Sequence, residues 1–294
     1  MTAVAALAEP RRVPPESTRA DREGHLWWYA RQRQRVHDRR AAGDPPPWTD
    51  DPLLARHRFC EVHREDDRGT RWIRAWRAGH ELLDGPDALY AYLAYRLLNS
   101  VDTSEECGIP FRDAPGLDAW HARLLGRRAD GRVVGTRRHF THGPDAAART
   151  LGQVLRPGPL EAATTEGSAL GAAAELLAIG GVGPFFALQT VADWLGDPLC
   201  PLPADSEVPI ATGSHMALRL LLDGDWLDNA GGQHGAHRAW DDEGDLAAVR
   251  YLVGHQPMIS GARLTPVDME HTLCEWYKYA RRAAGLSARL VRYP

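Results

Sequence analysis

The sequence predicts a mainly α-helical protein with few or no strands. Apolar residues recur at helical spacing along most of the chain, and strictly alternating stretches are scarce. Prolines and glycines fall where helices should start and stop. The third observation is the segment Leu177-Ala178-Ile179-Gly180-Gly181-Val182-Gly183-Pro184-Phe185-Phe186-Ala187, which reads as a helix end, a glycine hairpin and a second helix running to Trp194. That is the pattern of a helix-hairpin-helix element, at about residues 170–195. Residues 1–22 read as a disordered tail, since Arg11-Arg12 and Pro14-Pro15 follow the Ala-rich start. Residues 23–294 read as a helical catalytic domain with room for two lobes.

The elements follow in order. His25–Ala42 is a helix, with Trp28, Arg31, Arg35 and Arg39 at helical spacing, and Gly43-Asp44-Pro45-Pro46-Pro47 ends it. Asp51-Pro52 starts the next helix, with proline in its first turn. Arg64–Arg77 continues as a further helix, and Ala88–Asn99 is a strong one. Gly108–Pro115 is loop, Asp118–Leu125 is helical, and the Gly/Arg-rich stretch Gly126–His139 has the make-up of a short β-hairpin. Helices are expected again over Asp145–Leu155, Leu170–Ile179, Ser214–Asp223, Leu246–Val253 and Val267–Ala284.

Composition narrows the function. The chain has 294 residues, an apolar share of 44% and 10 Trp, which suits a packed globular protein. No run approaches the roughly 20 apolar residues of a membrane span. The cysteines Cys60, Cys107, Cys200 and Cys274 form no C-x-x-C pair, which speaks against zinc-ribbon and iron–sulfur chemistry and for a reduced, cytoplasmic setting. The pairs His139/His142 and His234/His237 have a metal-compatible spacing but no cysteine or carboxylate pattern beside them, so no metal and no other cofactor is expected. Net charge is −4, yet arginines cluster at Arg31–Arg40 and Arg64–Arg77, which is compatible with DNA. Of the 35 basic residues 34 are arginine, and Lys278 is the one lysine. Lysine offers a compact charge and a proton that can be lost, whereas arginine offers neither.

A glycine hairpin at a helix N-terminus presents bare amides and partial positive charge, which suits a phosphate. Ile179, Gly181, Val182 and Gly183 are therefore candidate DNA contacts, independent of base sequence. The arrangement resembles one large class of DNA glycosylases, in which an Asp roughly 20 residues past the hairpin faces the sugar of a flipped base. That resemblance points to Asp205, although the Asp-Thr-His run of the class is missing here. If Asp205 is not the acid, Glu207, Asp193 and Glu275 follow as candidates.

Two further segments are specific. One is Pro47-Trp48-Thr49-Asp50-Asp51-Pro52-Leu53-Leu54 with Arg58-Phe59-Cys60-Glu61-Val62-His63-Arg64-Glu65-Asp66-Asp67-Arg68. The other is Leu273-Cys274-Glu275-Trp276-Tyr277-Lys278-Tyr279. With Gly181–Trp194 they resemble the motifs of DNA base hypermodification proteins, the α-glutamyl/putrescinyl thymine pyrophosphorylase-like group related to the helical domain of 5-hydroxymethyluracil DNA kinases. The resemblance runs from about Trp27 to Arg281, with Ala211-Thr212-Gly213-Ser214 standing where the family has a Gly-Pro-Gly segment. There is no P-loop motif, so no P-loop kinase activity is expected.

In the residues themselves, Trp48, Trp72, Trp276 and Tyr279 are candidate stacking faces of a base pocket with Thr49 beside them. Arg64 and Arg68 are candidate phosphate or base contacts held by Glu65 or Asp67. Glu275 and Lys278 share a helix face and can form an acid/base pair, with a salt bridge that merely locks helices as the alternative for each. Two activities remain open beside a silent DNA-binding module. The first is a DNA glycosylase that excises bulky hypermodified pyrimidines, as in phage DNA, which would serve anti-phage defence. The alternative is a transferase that attaches an amine or amino acid to activated 5-hydroxymethyluracil in DNA. In either case the partner is DNA containing modified bases, with no membrane and no obligate protein partner.

Overall fold

A computed structural model describes residues 9–14, 16–80, 84–136, 142–226 and 242–293. Among them are 13 α-helices, one 3-10 turn and a two-stranded sheet. The chain divides into two compact units, Met1–Arg64 with Ile210–Pro294, and Glu65–Pro209.

The first unit opens with α1 (Arg19–Ala41), which starts earlier than His25 because Thr18 and Asp21 form a capping box. Its buried stripe is Leu26, Tyr29, Ala30, Arg33 and Val36, while Arg31, Arg35 and Arg39 are exposed. Asp51 caps α2 (Pro52–Arg56) as expected, accepting from the Leu53 and Leu54 amides at 3.0 and 2.9 Å. Strand β1 (His57–Arg58) follows directly.

The second unit contains α3 (Arg68–Ala78), α4 (Gly85–Leu98), α5 (Val101–Cys107), α6 (Ala114–Ala129), α7 (Pro144–Gly152), α8 (Pro159–Thr165), α9 (Ala169–Leu177) and α10 (Pro184–Trp194). The helix expected over Arg64–Arg77 is broken, because Asp67 adopts extended backbone and caps α3, leaving Arg64–Asp66 as a 3-10 turn. α4 is buried on every face from Ala88 to Leu98, so it forms the axis of this unit, with α8 and α10 packed on it. α5 and α8 fall in stretches without an expected helix. No strand forms in the described part of 126–139: α6 runs on to Ala129, with Arg127 and Arg128 on the negative end of its dipole.

The chain then returns to the first unit through α11 (Thr212–Asp223), α12 (Glu243–His255) and α13 (Pro266–Ala283). Thr265 and Asp268 make a second capping box with Pro266 at the first helical position. α13 packs on α11, α12 and α1, and Trp276 and Tyr279 are fully enclosed. Strand β2 (Val291–Arg292) pairs antiparallel with β1, His57 opposite Arg292. No described helix is long and apolar enough to cross a membrane.

Candidate functional site

Of the segments that carry the resemblance, Pro47–Leu54, the start of Arg58–Arg68 and Leu273–Tyr279 meet in the first unit. Glu275 lies on α13, buried, with its Oε1 accepting from Lys278 Nζ at 2.5 Å. Its other oxygen accepts from the Cys60 amide at 3.0 Å. The Tyr279 hydroxyl donates to Asp51 at 2.6 Å, so the residue that caps α2 is also tied to α13. The carboxylate of Glu275 sits inside, and the Lys278 side chain is half-buried, with 34% of it exposed. Burial acts to lower the Lys278 pKa, but the Glu275 carboxylate and the Cys274 and Cys60 sulfurs outweigh it, and the net shift is upward. Lys278 is therefore a held cation near neutral pH. It donates hydrogen bonds and offsets anionic charge rather than accepting a proton.

Glu270, Cys274 and Lys278 are four apart along α13 and share one face. The start of α11 presses on this face. Ser214 Oγ donates to Glu270 Oε1 at 2.6 Å, and the Ala211 amide lies 3.3 Å from the same oxygen. A Cβ on Gly213 would come within 2.5 Å of Cys274 Sγ, so this position has no room for a side chain. Burial pushes the Cys274 thiol up to about 11 against the pull of Lys278, leaving it protonated at neutral pH. Burial also raises the Glu270 carboxyl, outweighing Ser214, Ala211, Arg64 and Lys278. A raised carboxyl pKa means the folded state holds a proton that the unfolded chain loses above its ordinary 4.5, so stability falls as pH rises from there through the folded pKa. Glu270→Gln is expected to remove that decline. Its melting temperature relative to wild type should rise between pH 4.5 and pH 7.5, and a constant difference across that range would contradict the raised pKa. Glu270, Ser214 and Cys60 were not singled out from sequence. The signal for Glu270 was two four-residue steps back from Lys278, and for Cys60 and Ser214 their place in the segments Arg58–Arg68 and Ala211–Ser214.

The remaining pocket candidates of this unit are placed as follows. Trp276 is fully buried and its Nε1 donates to His25 at 2.8 Å, and Tyr279 packs among His25, Trp28, Tyr29 and Phe59. Both serve the core, and neither presents a stacking face. Thr49 is buried and accepts from the Asp51 amide at 3.2 Å, which shapes the entry to α2. Arg64 is buried, and its amide donates to Asp268 at 2.6 Å. Trp48 is half-buried at a surface cleft of about 490 Å³.

The other candidates belong to the second unit. Glu65 is exposed and pairs with Arg74, Asp67 accepts from the Thr70 amide at 2.9 Å, and Arg68 pairs with Asp102 at the surface. Trp72 packs against Tyr95. Asp193 is sealed in the core, its carboxylate held by Arg96 at 2.5 and 2.7 Å and by the Thr70 hydroxyl at 2.8 Å. Asp205 is exposed in a turn at Pro203–Ser206, and Glu207 is half-buried. Of the histidines considered for metal, His139, His234 and His237 lie outside the described residues. Among the described residues no group of three metal-binding side chains is assembled.

The glycine segment joins α9 to α10 in a tight turn. Ile179 and Val182 are buried beneath it, and Gly181 takes a φ of +93°. Gln153 brackets Gly180, accepting from its amide at 3.0 Å and donating to its carbonyl at 2.8 Å. Gly183 caps α10 without a side chain, so no side chain covers the amides of the first turn. The two glycines therefore differ as test positions. A Cβ on Gly181 would meet Thr150 Oγ1 at 2.5 Å in a strained backbone, whereas Gly183 is extended and has open space around it. Gly183→Asp is expected to keep or raise thermal stability, since Asp is a favoured cap, while weakening DNA binding severalfold at low salt by placing a carboxylate where a phosphate would sit. Unchanged affinity would show that the turn is only a helix joint.

The fold and this charged cluster define a mainly helical module in which two sequence-distant motifs assemble around one carboxylate–ammonium pair. The sequence profile of the helical domain of 5-hmdU DNA kinase matches residues 22–288, and the chain belongs to that family. No curated protein and no solved structure matches the chain.

Proposed function

We propose that the chain modifies bases of DNA, carrying out the transfer step that follows activation of a 5-hydroxymethylpyrimidine. In that step an amine forms a C–N bond to the 5-methylene carbon, the C–O bond breaks, and the pyrophosphate leaves with the electron pair. The new ammonium then yields its proton to solvent. Membership of a family named for a 5-hmdU DNA kinase supports the substrate class. The observation that carries the reading is the Lys278 ammonium, fixed by buried Glu275 on a side chain that is about one-third exposed. A cation preorganised in this way stabilises charge that develops on a departing pyrophosphate. Glu275 is then a positioning residue, and its own tie to Cys60 keeps the pair in register.

The test is to incubate DNA carrying pyrophosphorylated 5-hydroxymethyldeoxyuridine with the protein and a panel of amines, then digest it and measure nucleoside masses. A nucleoside heavier by the amine is expected. Recovery of only the starting nucleoside with every amine would overturn the reading.

A second reading, excision of hypermodified bases in defence against phage DNA, draws support from the turn before α10, whose cap Gly183 has no side chain, and from exposed Asp205. It predicts free base and alkali-labile abasic sites in the same reactions, lost in Asp205→Asn while DNA affinity stays. Strands that remain intact in alkali would remove it.

A further inference from the structure

The exposed side of α1 carries Arg31, Arg35 and Arg39, one every four residues and therefore about 6 Å apart along the axis. This ladder ends at Trp48: Arg39 pairs with Asp44 and donates to the Trp48 carbonyl at 3.1 Å, and the Arg40 guanidinium lies 5.3 Å from the Trp48 ring. Tyr293, brought there by β2, stands edge-on to Trp48 at 5.3 Å between centroids. The two rings line the cleft of about 490 Å³ together with Arg56 and Arg292. That is the size range of small-molecule sites and has room for a nucleotide. Among the described residues neither Arg56 nor Arg292 has an acidic partner within ion-pair distance, and both are exposed. The Tyr293 hydroxyl is buried and has no hydrogen-bond partner among the described residues. The local field is positive: the His57 pKa is lowered first by burial and then by Arg282, Arg292 and Arg56.

Aromatic side walls and exposed guanidiniums suit a ligand that is planar and anionic at once. We propose that this cleft binds one nucleotide of a single DNA strand, its base against Trp48 and Tyr293, its flanking phosphates on Arg56 and Arg292, with the strand continuing along the α1 arginines. Stacking on aromatics over a cationic track is how single strands are held without sequence preference. A base still paired in a duplex has no face free for such a cleft. The choice of DNA rests on the function proposed above; the cleft itself rests on the side chains that line it.

Anisotropy titration of a fluorescein-labelled 20-nucleotide oligo-dT, and of the same strand annealed to oligo-dA, tests this. Arg56→Glu/Arg292→Glu should weaken single-strand binding tenfold or more. It should also flatten the dependence of log affinity on log salt by about 1.4, since each phosphate contact on a single strand contributes about 0.7. Trp48→Ala should weaken it more than Trp48→Phe, which keeps a ring, and a thermal melt checks that each variant is folded. Arg31→Glu/Arg35→Glu, both on an exposed helix face, gives the same reading without touching the cleft. Affinity within twofold of wild type and an unchanged salt slope in folded Arg56→Glu/Arg292→Glu would overturn the proposal. So would a duplex preference that ignores Trp48. The amine-adduct assay separates the two ideas. Adducts without cleft-dependent binding sink the cleft alone, and cleft-dependent binding without adducts from any amine sinks the transfer reaction alone.

Discussion

Asp193→Ala is expected to cost about 3–5 kcal/mol, the range for breaking a buried ion pair by removing one partner. The carboxylate is fully enclosed and accepts from Arg96 twice and from Thr70 once. Its loss leaves the Arg96 guanidinium inside the second unit, with Asp67 the nearest remaining carboxylate at 3.9 Å. Replacing both partners by apolar residues, as in Arg96→Met/Asp193→Leu, should restore most of the stability, because the main cost is the orphaned charge. Urea unfolding of the two variants beside wild type checks this. A single variant within about 1 kcal/mol of wild type would mean that water reaches the site and the pair holds little. The outcome also settles how an inactive Asp193 variant is to be read: lost activity would follow lost fold.

The second large effect is on turnover. Lys278→Arg keeps the charge but should reduce the transfer rate by about 10²–10³-fold, the usual effect of displacing one preorganised charge-stabilising donor. The guanidinium is broader and planar, and cannot place one compact cation on Glu275 Oε1. Glu275→Gln should lower the rate as well, by releasing the ammonium from its position. The pH response follows from the raised pKa. The Lys278 pair contributes its stability in full below the ordinary lysine value of 10.5 and loses it only as pH climbs past that value through the folded pKa. Measured with a weakly basic amine that stays unprotonated throughout, activity should thus show no rise as pH passes through the ordinary lysine range. A rate that grows tenfold per pH unit there would mean that Lys278 acts as a base after all. Wild-type turnover in Lys278→Arg, with an unchanged melt, would remove the residue from the chemistry.

What the sequence made legible was local. Helix starts were readable where the cap lies within three residues of the turn it serves, as at Asp51-Pro52. α5 and α8 went unread because each is only 7 residues long, too short for a hydrophobic period. The β1–β2 pairing was also hidden: each strand has 2 residues and its partner lies at the far end of the chain. At the site, the spacing of Glu275 and Lys278 and the solitude of Lys278 were enough to pick them out. For Asp51, Cys60 and Ser214 the motifs showed the positions but not the role, which is played toward α13 across long sequence separations. Trp276 and Tyr279 show the converse limit. Residue type suggested stacking faces, but which side of a helix a core covers is a tertiary fact, and here the core takes both.

The first unit is interrupted in sequence, with Glu65–Pro209 set between its two halves. On the ribosome this fixes an order of events. The inserted unit is contiguous and can complete its core while the polypeptide is still growing. The half that carries Cys60 must wait for Glu275, 215 residues later, which at 5–20 residues per second is a delay of roughly 10–40 s. Through that interval α1 holds Tyr29 without Tyr279 of α13, which later packs against it. Nascent chains therefore pass through a stage in which a helix with an uncovered apolar stripe is tethered to a finished neighbour. That stage is when the protein most needs a chaperone, and a premature stop between Pro209 and α13 yields a complete insert carrying a permanently sticky arm.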